Sequence, residues 1–285
     1  MQVYKGMDIG TAKPSADERK LLPHHLIDIC EPSQQFNAGD FVRLADEACR
    51  EIAGRGKLPV ISGGTGFYLK NFIFGLSEAP PSDEKIRSEL QLELQEKGAD
   101  ALMLELAKGD PVSAERIHIN DEYRLLRALE VLRCYGKPLS SFKVPTAAHN
   151  RQDKRNFRFI IIGLSRPREV LYKRINYRCA QMFKQGLAEE VQGLHAKGYT
   201  PNDPGMRAIG YREFFAEKND GEDSAGWRLL QDTDGIQTLI AQNSRRYAKR
   251  QITFFAGLPD VKWIECRKDE AETAGLVRQE WEKNL

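Results

Sequence analysis

The chain has 285 residues, 41% of them hydrophobic and 29% charged, enough for one large domain or two smaller ones built on a real core. Its formal net charge of +2 gives no bulk sign of a nucleic-acid binder, so any basic surface has to be local. No apolar run approaches the ~20 residues of a membrane span, the first residues show no signal-peptide pattern, and five scattered cysteines without a C-x-x-C pair, beside five histidines without ligand spacing, argue against a disulfide framework or a His/Cys metal site and suit a reduced cytoplasm.

MQVYKGMDIGTAKP at 1–14 reads as a polar, turn-rich loop, the kind that carries function more often than packing. LIDIC at 26–30 is a short apolar strand candidate. The stretch 36–57 predicts an amphipathic helix with Phe41, Leu44, Ala45, Ala48 and Ile52 on one face, stopped by Gly54 and Gly56. A buried strand at 58–62, a turn at Gly63 and Gly64, and a helix at about 66–74 follow. This strand, helix, strand alternation predicts a parallel α/β sheet.

At Pro80 and Pro81 the character changes, and 82–135 holds only helical patterns. Ser82, Asp100, Asp110–Pro111 and Asn120 read as starts; Gly98, Gly109 and Gly136 read as stops. The expectation is an all-helical insertion over 80–156, closed by a polar stretch at 147–156. FRFIIIGLS at 157–165 is the strongest strand signal, an unbroken apolar run suited to a central strand buried on both faces. Helices at about 168–197 and 233–255, a last strand at 261–266 and a helical tail complete the chain. The sheet resumes after the insertion, so 1–79 and 157–285 form one α/β core interrupted by a helical lobe.

Four stretches offer chemistry. ISGGTGFY at 61–68 delivers a Gly-Gly turn to a helix N-terminus with Thr65 at its entry, which is either an anion-binding turn or a tight turn with Thr65 as a plain cap. In DEYRLLRALEVLR, Arg124, Arg127 and Val131 share a face, suited to phosphate recognition or to simple solvation. Arg174 and Arg178 are one turn apart, with Met182 and Leu187 on the packing side; the pair suits a pyrophosphate or nearby acids such as Glu189. In the long helix, Ile236, Leu239, Ile240, Asn243 and Tyr247 make an inward stripe, while Gln242, Arg246, Lys249, Arg250 and Thr253 share another surface. With Arg245, these cations form the densest positive patch of the chain, near Tyr247, Phe254 and Phe255. Such a patch suits an RNA backbone with unstacked bases, or complements the helix dipole. There is no Ser-His-Asp set, no H-E-x-x-H and no G-x-x-x-x-G-K-[ST] in the 285 residues. The residues alone reach an α/β ligand-binding core with a basic helical half, and no reaction.

Taken in order, YKGMDIGTAKP, HHLID, ISGGTGFYLK, RLLRALEV, GMRAIGYRE and YAKRQITFF resemble the tRNA dimethylallyltransferase (tRNA isopentenyltransferase) family across essentially the whole chain. The resemblance implies a P-loop, nucleotide-kinase-like parallel sheet with a helical insertion. It implies transfer of a dimethylallyl group from dimethylallyl diphosphate to the exocyclic amine of the adenosine 3′-adjacent to the anticodon of tRNA. It places Thr65 at the reaction centre and Arg174 and Arg178 on the diphosphate. Met1, Gln2, Arg87, Tyr123, Arg124, Arg127, Met206, Arg207, Gly210, Tyr211, Arg212, Arg246, Lys249, Arg250 and Thr253 would line the path of the tRNA anticodon stem-loop. Mg²⁺ would be the cofactor, on the diphosphate oxygens, in a cytoplasmic monomer.

The resemblance also carries a departure. In the family the counterpart of residues 1–14 is internal, preceded by a strand, a P-loop, a helix and a second strand, with an Asp-Ser pair whose aspartate is the general base. The 285 residues contain none of these, through an internal methionine taken as the start or through a real truncation, and as written are expected to be inactive and poorly soluble. Phe254 and Ala256 stand where the family usually has Trp and Arg, which weakens RNA contact modestly. A non-catalytic RNA-binding remnant and a small-molecule nucleotide kinase stay open as alternatives.

Overall fold

The computed structural model describes residues 1–143, 157–218 and 226–284; the polar stretch expected at 147–156 lies outside them. In chain order come helices α1 (Ala16–Leu21), α2 (Ala38–Gly54), α3 (Gly66–Phe74), α4 (Glu84–Gly109), α5 (Pro111–Arg116) and α6 (Glu122–Tyr135). Strand β1 (Ile162–Ser165), α7 (Arg168–Lys184), α8 (Leu187–Ala196), β2 (Phe215–Glu217) and β3 (Trp227–Leu229) follow. The chain then runs through α9 (Thr233–Ala256), β4 (Lys262–Glu265) and α10 (Glu270–Glu282). It divides into two units, Met1–Phe72 with Phe157–Leu285, and Ile73–Asn156.

Local chemistry sets most helix ends. Ser15 with Glu18 and Asn37 with Asp40 form capping boxes on α1 and α2. Asp110 caps α5 ahead of Pro111, and Gly136, at φ 63°, closes α6. Two expected caps move by one residue, from Ser82 to Asp83 and from Asn120 to Asp121, because it is these carboxylates that accept the first-turn amides. Asp100 caps nothing; α4 breaks at Gly98 (φ 79°) and continues to Gly109. The helix expected at 168–197 is two helices, separated at Gly186 (φ 96°), a left-handed conformation that only glycine adopts freely.

The sheets are smaller than the sequence suggests. β1 and β4 pair in parallel, from Ile162 opposite Lys262 to Ser165 opposite Glu265, and β2 and β3 pair antiparallel. The run at 157–165 becomes a strand only from Ile162, and Leu164 is 57% exposed, so this strand is not buried on both faces. The expected strand at 26–30 is reduced to one parallel bridge between Tyr4 and Cys30. Residues 58–62 form no strand, and Leu58 and Val60 are exposed at 59% and 76%. Apolar, β-prone residues supply propensity, but a strand also needs a ladder partner for its amides and carbonyls. Residues 58–62 have none among the described residues.

The first unit packs its core around Met7, Leu187, Val191, Met206 and Tyr211, each with no exposure. The opening loop is therefore a packing element as well as a turn: Tyr4 and Met7 are both buried. Phe41 of α2 stacks on Tyr68 of α3 with ring centres 5.2 Å apart and meets Phe72 edge-on, which fixes α3 and the turn ahead of it. Helices are the only regular elements among the second unit's described residues, with Leu90, Leu102, Leu106, Leu125 and Leu129 buried between α4 and α6.

Candidate functional site

The turn Gly63–Gly64–Thr65 leads into α3, and α9 holds it. The Gln251 side chain donates from Nε2 to the Gly64 carbonyl at 2.7 Å, and the Tyr247 hydroxyl approaches the same oxygen at 3.4 Å. The Phe254 ring lies so close to Gly66 that a Cβ there would fall 2.3 Å from it. Tyr68 and Leu69 donate their amides to the Thr65 carbonyl, but the Thr65 hydroxyl makes no hydrogen bond among the described residues. The plain side-chain cap is thus not formed, and a half-buried hydroxyl stands free at the head of a helix.

The basic face of α9 runs alongside. Arg246, Lys249, Arg250 and Thr253 are exposed, and among the described residues none of the three cations has an acidic partner. Arg250 sits 5.9 Å from the Tyr247 ring centre, and Thr253 turns its hydroxyl back to the Lys249 carbonyl at 3.1 Å. Arg245 instead bonds Asn176 of α7. Of the expected inward stripe, Ile236 and Ile240 are buried, but Leu239 and Tyr247 are 41% and 38% exposed, because α9 turns that edge to solvent. On α7, Arg174 and Arg178 are exposed; Arg174 reaches Glu270 only at 4.0 Å, and Arg178 has no ion pair among the described residues. Met182 and Leu187 are buried, as their spacing predicts.

The opening loop is fixed by one carboxylate. Glu190 of α8 accepts the amides of Asp8 at 2.9 Å, Ile9 at 2.8 Å and Gly10 at 3.3 Å, and the Tyr211 hydroxyl at 2.6 Å. Burial, then the Glu190 charge and hydrogen bond, push the Tyr211 phenol far above its ordinary range. Gly10 is required by contact: a Cβ there would meet the Tyr211 ring at 2.5 Å. Gly210 donates its amide to the buried Glu213, which also accepts the Asn243 amide of α9 at 2.7 Å. Lys13, almost wholly buried, joins Asp8, Asp28 and the Tyr4 carbonyl. Gln2 donates to the Thr11 and Ala12 carbonyls, and Met1 is exposed.

Within GMRAIGYRE, Met206, Gly210 and Tyr211 lie buried. Arg207 is exposed but tethered to the Pro201 and Asn202 carbonyls, and Arg212 bonds the Phe215 carbonyl while lying 4.4 Å over the Trp227 ring. In the helical unit, Arg124 is exposed beside Asp121 at 3.3 Å. Arg127 does not share its exposure: it bonds Pro80 and the fully buried Glu130, which also takes the Asp83 amide at 2.6 Å and Arg87 at 3.4 Å. Val131, expected on the arginine face, is buried. Arg87 lies 4.5 Å over the exposed Tyr123 ring, a cation–π pair that presents an aromatic face to solvent.

Sequence reasoning missed Glu190, Glu213, Lys13 and Gln251. Glu190 with Asp8, Glu213 with Asn243, Lys13 with Asp28 and Gln251 with Gly64 each join residues well apart in sequence, so no spacing marked them; the one hint was glycine density, since Gly10 marks a close approach and Gly210 a left-handed backbone at φ 100°.

A small parallel sheet and an all-helical second unit, with a glycine turn held by a basic helix, describe an α/β enzyme with a helical insertion, and comparison with known proteins makes it a prenyltransferase. It belongs to the IPP transferase family, whose model matches residues 2–257. The tRNA dimethylallyltransferase of Geobacter sulfurreducens is 45% identical over 93% of this chain and 81% of its own length. A tRNA isopentenylpyrophosphate transferase structure from Staphylococcus epidermidis superimposes with a TM-score of 0.64 at 33% identity, over 100% of this chain and 89% of that one. A eukaryotic dimethylallyltransferase captured acting on tRNA shares the fold, with a TM-score of 0.73 at 24% identity, over 100% of this chain and 71% of that one.

Proposed function

We propose that the chain transfers the dimethylallyl group of dimethylallyl diphosphate to the exocyclic amine of the adenosine 3′-adjacent to the anticodon of tRNA, releasing diphosphate. The observation that carries this reading is the free Thr65 hydroxyl, held by α9 beside the unpaired Arg246, Lys249 and Arg250. The anticodon stem-loop lies along that basic face, where phosphate contacts set position and the exposed Tyr247 offers a stacking surface. The target adenine leaves its stack at a cost of a few kcal/mol. Its amine displaces diphosphate from the allylic carbon, and the exposed, weakly paired Arg174 and Arg178 take the charge that grows on the leaving oxygens. Thr65 hydrogen-bonds the target nucleotide and orients the amine. The buried Met206, Gly210 and Tyr211 shape the path from beneath, and Arg207 offers its side chain to it; in the helical unit the Arg87–Tyr123 pair presents a cation and a ring of its own to RNA.

The proton that the amine loses passes to a general base, and the diphosphate needs a cradle of donors; the 285 residues contain no G-x-x-x-x-G-K-[ST] to form one. Mg²⁺ would be held on the oxygens of the diphosphate rather than in a cage of protein ligands, and would supply charge neutralisation for the leaving group. Among the described residues no helix is long and apolar enough to cross a membrane. The proposed reaction would be that of a monomer working where tRNA is, in the cytoplasm. The test is nucleoside analysis of tRNA after incubation with dimethylallyl diphosphate and the chain, both as its 285 residues and extended by a P-loop unit. Phosphorylation of a free nucleotide instead would support a kinase, and salt-sensitive tRNA binding without any transfer would support a non-catalytic remnant.

A further inference from the structure

The Gly64 carbonyl is the only atom of the reaction-centre turn to which two side chains of α9 converge among the described residues, Gln251 at 2.7 Å and Tyr247 at 3.4 Å. We infer that Gln251 is a positioning residue: its Nε2–H fixes the Gly64–Thr65 peptide plane, and so the direction in which the Thr65 hydroxyl points. This rests on the reading of Thr65 as the group that meets the target nucleotide. Three features make Gln251 the part that decides. The turn has no strand ladder of its own, since residues 58–62 are unpaired among the described residues, and its backbone bonds are local ones, from the Gly66 amide to the Gly64 carbonyl and from the Tyr68 and Leu69 amides to the Thr65 carbonyl, so it is Gln251 that ties it most closely to α9. A side chain at Gly64 would meet the Gln251 amide at 2.2 Å, so turn and side chain are in direct contact. Gln251 also lies one residue from Arg250 on the helix proposed to carry the RNA, so whatever settles α9 settles the turn as well.

The test is hydrogen exchange of the amides of Gly66, Tyr68 and Leu69, which bond the Gly64 and Thr65 carbonyls, in the free 285-residue chain, each rate normalised to its intrinsic value at the same pH. Gln251→Glu keeps the shape but opposes a carboxylate to a carbonyl. At pH 7 it is expected to raise exchange at these amides about tenfold, the loss of one net hydrogen bond. As pH falls through the introduced carboxyl's titration, its O–H becomes a donor and protection returns; a merely space-filling role for Gln251 gives no such return. Gln251→Met, which fills the volume without a donor, is expected to lose protection at every pH, and Tyr247→Phe to change it less than twofold. Wild-type protection in both Gln251→Glu and Gln251→Met overturns the inference, as does loss in Gln251→Glu that pH does not reverse. Whether Thr65 serves the reaction is read separately: Thr65→Ala in the extended chain retaining full transfer removes that role while leaving the exchange result intact.

Discussion

Replacing Glu190 with alanine isolates the contact that holds the opening loop to α8. One carboxylate there accepts three backbone amides and the hydroxyl of Tyr211, whose side chain is wholly buried. A buried hydroxyl left without a partner costs about 1–3 kcal/mol, and each hydrogen bond to a charged group contributes about 1.5–3 kcal/mol when fully desolvated. Glu190 is only half buried, and of its three amide partners Asp8 is exposed and Ile9 and Gly10 are half-buried, so the sum is discounted to about 3 kcal/mol. For a unit of this size that is a fall of roughly 6–12 °C in Tm. Tyr211→Phe removes only the phenol and leaves the three amides satisfied, so about 1 kcal/mol is expected. The assay is urea unfolding followed by circular dichroism, with the double substitution closing the cycle. If Glu190→Ala costs no more than Tyr211→Phe, the carboxylate is not the loop's anchor and the argument fails.

Other outcomes follow from the same geometry. Thr65→Ala in the extended chain is expected to lower transfer at least a hundredfold with tRNA affinity and Tm unchanged, since the hydroxyl has no structural bond among the described residues; an accompanying loss of stability would point to a cap after all. Arg246→Ala, Lys249→Ala and Arg250→Ala are each expected to reduce the salt dependence of tRNA binding by about one unit of slope, measured by fluorescence titration at several salt concentrations; an unchanged slope removes that residue from the interface. Arg127→Ala behaves differently, leaving buried Glu130 short of a cation, and is expected to cost about 3 kcal/mol of stability in the helical unit by the same unfolding assay, whereas Arg124→Ala leaves stability unchanged. In that unit the hydrogen bonds and charges of Arg133 and Lys97 hold the Glu93 carboxyl down to about 2. Its contribution is therefore full above its ordinary titration near 4.5 and is lost as pH falls toward 2. An acid unfolding midpoint unmoved by Arg133→Gln would contradict this.

What the sequence made legible was what neighbours in sequence decide. Asp110–Pro111 starts a helix and Gly136 ends one because cap and amide lie within a turn of each other. The long basic helix α9 and the basic patch it carries were readable from period and charge alone. The strands at 26–30 and 58–62 were misread because β-propensity is local while the ladder is not. The opening loop looked functional for its glycines, yet Gly10 is small to admit the Tyr211 ring. Arg124 and Arg127 looked alike on paper and part company in the fold, because Glu130 behind Arg127 is buried and Asp121 beside Arg124 is not.

The most direct measurement is mass-spectrometric nucleoside mapping of tRNA incubated with dimethylallyl diphosphate and the chain carrying a glycine-rich phosphate-binding unit ahead of Met1. The account expects a dimethylallyl group on the adenosine 3′ to the anticodon, absent with Thr65→Ala. Unmodified tRNA from the extended chain, or modification at any other nucleotide, would contradict it.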